Sequence, residues 1–239
     1  MYETLLALAV AHLVADFPLQ PDWMIRRKRN PAVLVLHGLV VTGTAALALG
    51  GWPAEVLLIL VGTHLAMDAI KVYVLGDSLG SFTVDQVVHL AVILALALAF
   101  PGTFAQGAWA AQPAGVAAGY LVALCLLGGV IASLMVGAIV IRKATAPFTR
   151  QLSGDIAGLE SGGTYIGWLE RALVMLLILA GEPTGVGFLI TAKSILRFGD
   201  VRDSAQRKLT EYIIIGTFMS FGWGLLIAVV TQLAMRHWM

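Results

Sequence analysis

The amino-acid sequence predicts an all-α fold, a polytopic transmembrane helical bundle with about seven or eight crossings. Hydrophobic residues make up 59% of the 239 residues, charged residues only 12%, and the mean hydropathy is +0.89. Several apolar runs approach the roughly twenty residues that a helix needs to cross a hydrocarbon layer of about 30 Å. Backbone polar groups inside a bilayer must be paired within their own segment, so these runs are expected to be helices.

Four crossings are predicted in the first half of the chain, over residues 3–17, 32–50, 54–75 and 83–100. Pro18 and Pro21 end the first helix, since proline cannot donate a backbone hydrogen bond and restricts the residue before it. The basic stretch from Arg26 to Arg29 follows and is expected to face anionic lipid on the cytoplasmic side. These crossings form the first predicted domain, residues 1–101.

The second predicted domain, residues 102–239, is expected to cross the membrane over 113–141, 164–180 and 209–235. Residues 183–198, between the second and third of these spans, are predicted to form a short, broken crossing. The basic residues that follow belong on the cytoplasmic side, so the chain must return across the membrane before them. Such segments often line cavities. Stripes of small residues, such as Gly129-Ser133-Gly137, predict close helix packing and could also join two copies of the chain in a homo-oligomer.

A repeat places the same ionisable residues in two apolar hairpins. His12 and Asp16 recur as His64 and Asp68, and His37 recurs at the same offset as His89. The flanking sequences LLALAVAHLVAD and LLILVGTHLAMD also align. A parallel duplication of a helical hairpin predicts a pseudo-two-fold axis along the membrane normal. Ionisable residues inside membrane helices are costly, so these positions are functional candidates.

The repeated residues are predicted to form a metal centre in the cytoplasmic leaflet. Asp85 lies four residues before His89, which places both side chains on one helix face. Imidazole and carboxylate groups at this spacing are typical ligands of zinc, manganese or iron. The sequence predicts one or two divalent ions, with zinc favoured, and seven ligands: His12, Asp16, His37, His64, Asp68, Asp85 and His89. Asp16, Asp68 and Asp85 are the candidate catalytic residues, with a metal-bound hydroxide as the alternative source of base and nucleophile.

Three other interpretations of these residues stay open at this point. A single buried histidine is usually a packed, hydrogen-bonded residue, although four matched histidines weaken that account. Paired histidine and aspartate residues could instead relay protons or ions in a transporter. Haem ligation is disfavoured, because a haem axial site does not require an aspartate four residues away.

A second polar set lies in the second half of the chain. Arg171, Lys193 and Arg197 could hold a lipid phosphate, which makes anionic membrane lipids the expected partners. The alternative is internal ion pairing, such as Glu170 with Lys193, since charges in membrane helices usually pair. The net charge of +1 gives no indication of nucleic-acid binding. The single cysteine, Cys125, excludes an internal disulfide.

Three sequence segments carry a resemblance to a known family. They are AHLVADFPLQ from Ala11 to Gln20, HLAMDAIK from His64 to Lys71, and DQVVHL from Asp85 to Leu90. With them, the first part of the chain resembles an uncharacterised bacterial family of multi-spanning membrane proteins with repeated HxxxD helices. The resemblance implies a multi-pass protein of the bacterial inner membrane and brings no established activity. The His/Asp layout is also loosely similar to that of inner-membrane metal-dependent hydrolases.

The sequence therefore favours a membrane-embedded metal-dependent hydrolase that acts on a lipid or lipid-linked (phospho)ester from the cytoplasmic side. The alternative is a transporter of protons, metal ions or a small solute that uses the same His/Asp cluster. A metal that survives purification favours the enzyme. A water-filled path that reaches both membrane faces favours the transporter.

Overall fold

The computed structural model describes residues 1–150, 161–195 and 204–239, and these residues form helices and connecting turns without any strand. They separate into two compact units. The N-terminal unit contains residues 1–131 together with 234–239, and the C-terminal unit contains residues 132–233. The helices in chain order are α1 (Tyr2–Asp16), α2 (Asp22–Arg26), α3 (Pro31–Leu49), α4 (Ala54–Ile70), α5 (Leu79–Ala99), α6 (Ala114–Ile131), α7 (Gly137–Thr149), α8 (Gly162–Leu179), α9 (Thr184–Ile195) and α10 (Ser204–Trp238).

Six helical segments among the described residues are long and apolar enough to cross a membrane, so the chain is a multi-pass membrane protein. They are Pro31–Leu49, Ala54–Leu75, Leu79–Ala99, Ala114–Thr149, Gly162–Leu179 and Arg207–Trp238. Helix α1 has 15 residues and α9 has 12, so both are shorter than these spans. The all-α prediction is confirmed, whereas the number of crossings and the broken crossing at 183–198 stay predictions.

Four helices of the N-terminal unit pack in a closed ring, with α1 against α3, α3 against α4, α4 against α5 and α5 against α1. Helix α6 packs on α1 from outside this ring. The ring interior is filled by apolar side chains that are nearly inaccessible to solvent, including Leu8, Leu49, Leu57 and Ile93. The parallel repeat proposed for these helices stays a prediction.

Local sequence signals fix where α3 and α5 begin. Asn30 caps α3 by accepting a hydrogen bond from the backbone N–H of Ala32, and Pro31 occupies the first helical position. Ser78 caps α5 by accepting from the backbone N–H of Ser81. Helix α5 therefore begins before the predicted residue 83, because a serine cap outweighs the apolar periodicity that set the predicted boundary.

The loop after α5 closes one end of the N-terminal unit. Thr4 on α1 donates to the carbonyl of Pro101 and accepts from the backbone N–H of Phe104. Trp109 donates its indole N–H to the carbonyl of Leu47 and stacks on Tyr120 with ring centroids 4.3 Å apart. Gly50 ends α3 in the left-handed region with φ 72°, where a side chain would meet Trp109 and the backbone of residue 108. These contacts hold the loop against the ends of α1 and α3.

The predicted helix over 113–141 differs in the structure. Helix α6 ends at Ile131, a π-helical turn occupies Ala132–Val136, and α7 continues to Thr149. A π-turn leaves backbone carbonyls without their usual helical donors. In the C-terminal unit the guanidinium of Arg171 donates to two of these carbonyls, those of Ser133 and Leu134. No sequence pattern marks a π-turn inside an apolar run, so it could not be predicted.

Gly137, at the end of this π-turn, is expected not to tolerate a side chain. A Cβ there would lie 2.7 Å from Cδ1 of Trp223 and 3.1 Å from Nε of Arg171. We expect Gly137→Ala to lower the free energy of unfolding by about 1–3 kcal/mol, the usual cost of overpacking. Gly119→Ala is the control, because no atom outside its own helix lies within 4 Å of that position. Thermal unfolding in detergent would measure both, and equal midpoints would contradict the packing account.

Candidate metal centre

Four helices of the N-terminal unit bring the seven predicted ligands together at one level. The last turns of α1 and α4 lie beside the first half of α3 and the middle of α5 at this level. Neighbouring imidazole rings have centroids between 4.1 and 5.6 Å apart. The residues are His12 and Asp16 on α1, His37 on α3, His64 and Asp68 on α4, and Asp85 and His89 on α5. All seven side chains are almost inaccessible to solvent, Asp16 at 7% being the most exposed.

Three atoms of this cluster converge on a common point. Nε2 of His37 and Nε2 of His64 are 3.1 Å apart, and Oδ1 of Asp16 lies 3.2 Å from each of them. Oδ2 of Asp68 lies 3.5 Å from Nε2 of His37 and 3.6 Å from Nε2 of His64. Ligand atoms bound to one tetrahedral zinc ion at 2.0–2.1 Å stand about 3.3 Å apart. These separations therefore match those of ligands around a single small cation.

Two carboxylate oxygens at this point have no hydrogen-bond donor among the described residues. They are Oδ1 of Asp16 and Oδ2 of Asp68, and both are buried. A buried acceptor left unpaired costs about 1–3 kcal/mol, and more when it is charged. Each neutral imidazole carries only one N–H, so His37 and His64 cannot satisfy both oxygens and each other. A bound cation would satisfy all four atoms at once.

A second group forms around His89, which stacks on His64 with ring centroids 4.1 Å apart and planes 18° from parallel. Nε2 of His89 lies 3.4 Å from Oδ1 of Asp85, and neither atom has a hydrogen-bond partner in the described part of the chain. The ring of His12 lies 5.0 Å from that of His89. Asp85 and His89 thus form a dyad directly beside the convergent atoms of the first group.

Two lysines that the sequence did not indicate as site residues hold the aspartates. Nζ of Lys28 donates to Oδ1 of Asp68 at 2.7 Å, so the other oxygen of Asp68 faces the histidines. Nζ of Lys71 donates to Oδ2 of Asp85, so the other oxygen of Asp85 faces His89. Lys28 was expected to belong to a basic surface stretch; it is 8% exposed, whereas its neighbours in that stretch are exposed. The difference arises because Lys28 is the position of the stretch that reaches Asp68.

Two glutamines are further site residues that the sequence did not identify. Nε2 of Gln20 lies 3.0 Å from Nε2 of His37, and Gln20 is only partly buried, so it borders the site on its accessible side. The side chain of Gln86 bridges two site residues, with Oε1 3.2 Å from Nε2 of His12 and Nε2 donating to Oδ2 of Asp85. Uncharged amides next to charged residues give no distinct sequence signal, although both lie inside the segments that carry the family resemblance.

The ionised side chains of the cluster leave it with one net negative charge. Three aspartates contribute three negative charges, and the two lysines bonded to them contribute two positive charges, with the histidines neutral. One divalent ion would turn this balance to +1, and two would turn it to +3. Because unbalanced charge is expensive away from water, the cluster fits one divalent ion better than two.

The depth of His89 differs from its predicted position about six residues into a helix. Helix α5 begins at Leu79, so His89 is several residues further along it. His37, in contrast, lies close to the start of α3, as predicted. Helix α5 begins about one turn before the predicted start at residue 83. The extra residues precede the level of the site, so His89 still reaches the cluster.

The polar residues predicted in the second half take different roles. Arg171 is 2% exposed and donates to Ser220 as well as to the two π-turn carbonyls. Lys193 forms the internal ion pair that was the alternative interpretation, with its Nζ 2.5 Å from Oε1 of Glu170. Arg197 lies outside the described residues. These contacts belong to the C-terminal unit and are not part of the His/Asp cluster.

Comparison with known proteins gives one similarity. No curated protein and no solved structure matches the chain. Residues 4–114, which contain the complete His/Asp cluster, match the family described as a protein of unknown function (DUF3307). This part of the chain is therefore similar to an uncharacterised family.

Proposed function

We propose that the protein is a metal-dependent hydrolase of the bacterial inner membrane, acting on a lipid or lipid-linked (phospho)ester from the cytoplasmic side. The observation that carries the proposal is the convergence of Asp16, His37 and His64, whose ligand atoms are 3.1–3.2 Å apart. Asp68 supplies a fourth oxygen. Two imidazoles and two carboxylates suit zinc, with manganese or iron as alternatives, and the charge balance favours one ion.

The residues around the convergent atoms have separate roles in the proposed reaction. A bound divalent ion would polarise an ester oxygen and make water acidic enough to lose a proton near neutral pH. His89 is placed to accept that proton, because its ring stacks on His64 and its Nε2 faces Asp85. Lys71 fixes Asp85 from the other side, which keeps the carboxylate aimed at His89. Gln20 is partly buried and lies 3.0 Å from His37, so a headgroup would approach the cluster past this side chain.

The apolar interior beyond the cluster favours hydrolysis over transport. A transporter needs a polar path from its ion site to both membrane faces. Between Ala15 beside the site and the loop end of the unit, the buried side chains of α1 other than His12 are apolar except for Thr4. Trp109 and Tyr120 cover that end. Among the described residues of this unit, the buried histidine, acidic and basic side chains all belong to the His/Asp cluster or, like Lys28, pair with it.

The surface beside the site supports a substrate that is anchored in the membrane. The segment between α1 and α3 exposes the apolar side chains of Leu19, Trp23 and Ile25. The exposed arginines Arg26 and Arg27 follow at once. Exposed aromatic and aliphatic groups next to arginines are typical of a segment that lies in the headgroup region of anionic lipid. A lipid ester held there would present its headgroup to the adjacent cluster.

The test is hydrolysis by detergent-purified protein after metal analysis. Protein supplied in turn with zinc, manganese and iron(II) is mixed with micelles of phosphatidic acid, phosphatidylglycerol or a long-chain acyl ester. Products are followed by phosphorus and proton NMR. We expect cleavage that depends on the bound ion. Absence of cleavage together with movement of the same ion across the membrane of protein-containing liposomes would replace the hydrolase with the transporter.

His89→Asn is expected to separate catalysis from metal binding. The change removes the base but leaves Asp16, His37, His64 and Asp68 in place, so the metal content should stay at the wild-type level. The hydrolysis rate should fall by roughly 10²–10⁴-fold, the usual contribution of a general base. His237→Asn, at an exposed position, is the control. A loss of metal that parallels the loss of rate would instead make His89 a ligand.

A further inference from the structure

A cavity in the C-terminal unit lies among α7, α8, α9 and α10 and has no part in the proposed hydrolysis. Its volume is about 450 Å³, within the range of small-molecule sites. Hydroxyl groups line much of it, from the side chains of Thr145, Thr149, Ser161, Thr164, Tyr212, Thr217 and Ser220. Polar groups among apolar helices are costly unless they are paired, so the hydroxyl and charged groups of this lining favour a polar ligand.

The charged residues that line the described part of this cavity are mostly basic. Arg142, Arg171 and Lys193 contribute three positive charges, and Glu170 contributes one negative charge, which leaves two positive charges in excess. Glu170 is already paired with Lys193. The excess is therefore carried by the two arginines, and it favours an anion with up to two negative charges.

Arg171 is fixed in this cavity by bonds that leave its charge unbalanced. Its Nε donates to the carbonyl of Ser133 at 2.7 Å, and its two terminal nitrogens donate to Ser220 Oγ and the carbonyl of Leu134, each at 3.0 Å. All three acceptors are uncharged. Gly137, Gly167 and Gly224 surround the side chain closely enough that a Cβ at any of them would meet it within about 3.2 Å. The guanidinium is thus held in one position, with N–H groups left over for a ligand.

The first turn of α8 adds backbone donors to the same cavity. Gly162, Gly163 and Thr164 all line it. The N–H of Thr164 already donates to the carbonyl of Ser161, so the donors that this turn offers are the N–H groups of Gly162 and Gly163, where the positive end of the helix dipole attracts anions. Glycine at the first two positions lets an anion approach these N–H groups without meeting a side chain. This turn and Arg171 both present donors to the cavity.

We propose that the cavity is a binding site for a phosphate group, carried either by a lipid headgroup or by a free phosphate ion. Arginine, serine and threonine hydroxyls, and helix N-terminal N–H groups are the groups that most often bind phosphate in proteins. The two positive charges in excess among the described lining residues match a phosphate monoester dianion. The site stands independently of the metal centre, since every residue in it belongs to the C-terminal unit.

Binding by the delipidated full-length protein in detergent tests this site. Inorganic phosphate and glycerol 3-phosphate probe the free ion, and phosphatidic acid in mixed micelles probes the headgroup; phosphatidylcholine micelles are the zwitterionic control. Thermal midpoints report binding of each probe, and native mass spectrometry counts the phosphatidic acid that is retained. Stabilisation by inorganic phosphate assigns the free ion as a ligand. Stabilisation by phosphatidic acid alone assigns the headgroup.

Two variants change the charge of the cavity in opposite directions. Arg142→Gln should weaken phosphate binding by about tenfold or more, because one charged donor is lost. Glu170→Gln should strengthen it by a similar factor, because Lys193 is released from its ion pair and a repelling carboxylate is removed. Arg236→Gln, an exposed arginine that does not line the cavity, is the matched control. The proposal is overturned if no phosphate probe binds, or if Glu170→Gln binds no more tightly than Arg236→Gln.

Discussion

Replacing His64 with alanine is expected to abolish the metal content of the purified protein. His64 is the residue that links the two groups of the cluster: its Nε2 lies 3.1 Å from that of His37 and 3.2 Å from Asp16, and its ring stacks on His89. Loss of a partner outside the ligand set already lowers metal affinity by about 10–100-fold, so loss of a direct ligand should exceed about 100-fold. Elemental analysis after dialysis would measure it.

Thermal unfolding provides a second measure of the same variant. An ion present at about 100 times its dissociation constant stabilises the folded state by about 2.7 kcal/mol, so added metal should raise the wild-type midpoint. His64→Ala should show no such rise. Leu60→Ala, one turn earlier on α4 and also buried, is the control for the cavity that truncation leaves. It should have a lower midpoint and still respond to metal. A normal metal response of His64→Ala would show that His64 is a packed core residue.

The composition of the cluster could be predicted because two periodicities act together in the sequence. Spacing of four residues puts His12 with Asp16 and His64 with Asp68 on single helix faces, as the ion-pair distances show. The common offset between the two hairpins then indicated that these faces belong to one interior. The cost of ionisable groups in apolar helices excluded a scattered, lipid-facing arrangement. The sequence alone therefore predicts that the four imidazole rings lie close together.

The lysines that bind the aspartates of the cluster could not be predicted, because these ion pairs join distant parts of the chain. Lys28 reaches Asp68 from the turn before α3, and Lys71 reaches Asp85 from the π-turn after α4. In the sequence, Lys28 is indistinguishable from the three arginines beside it. The π-turn that frees carbonyls for Arg171 has no sequence pattern either. The sequence therefore could not show which groups hold Arg171, because two of its acceptors are carbonyls of that π-turn.

Substitution of Lys28 distinguishes most clearly between a metal centre and a purely structural ion-pair network. Its Nζ is 2.7 Å from Oδ1 of Asp68, and both side chains are less than 10% exposed. In metal-free protein, Lys28→Met leaves a buried carboxylate without its partner, which should lower the free energy of unfolding by about 3–5 kcal/mol. Arg29→Met removes an adjacent, exposed positive charge and should change stability by less than about 0.5 kcal/mol.

Lys28→Met should raise the affinity for metal, although it lowers the stability of the metal-free protein. Without Lys28 the cluster carries two net negative charges instead of one, and both oxygens of Asp68 are free to face the ion. Lys28→Met should therefore bind zinc about tenfold more tightly or better, since removing a charge a few ångströms away is worth more than 1 kcal/mol even at an effective dielectric constant of about 20. Added zinc should then restore most of the lost stability. In a network without a metal, zinc would leave the Lys28→Met midpoint as low as before, because the unpaired carboxylate would have no cation to replace the lysine.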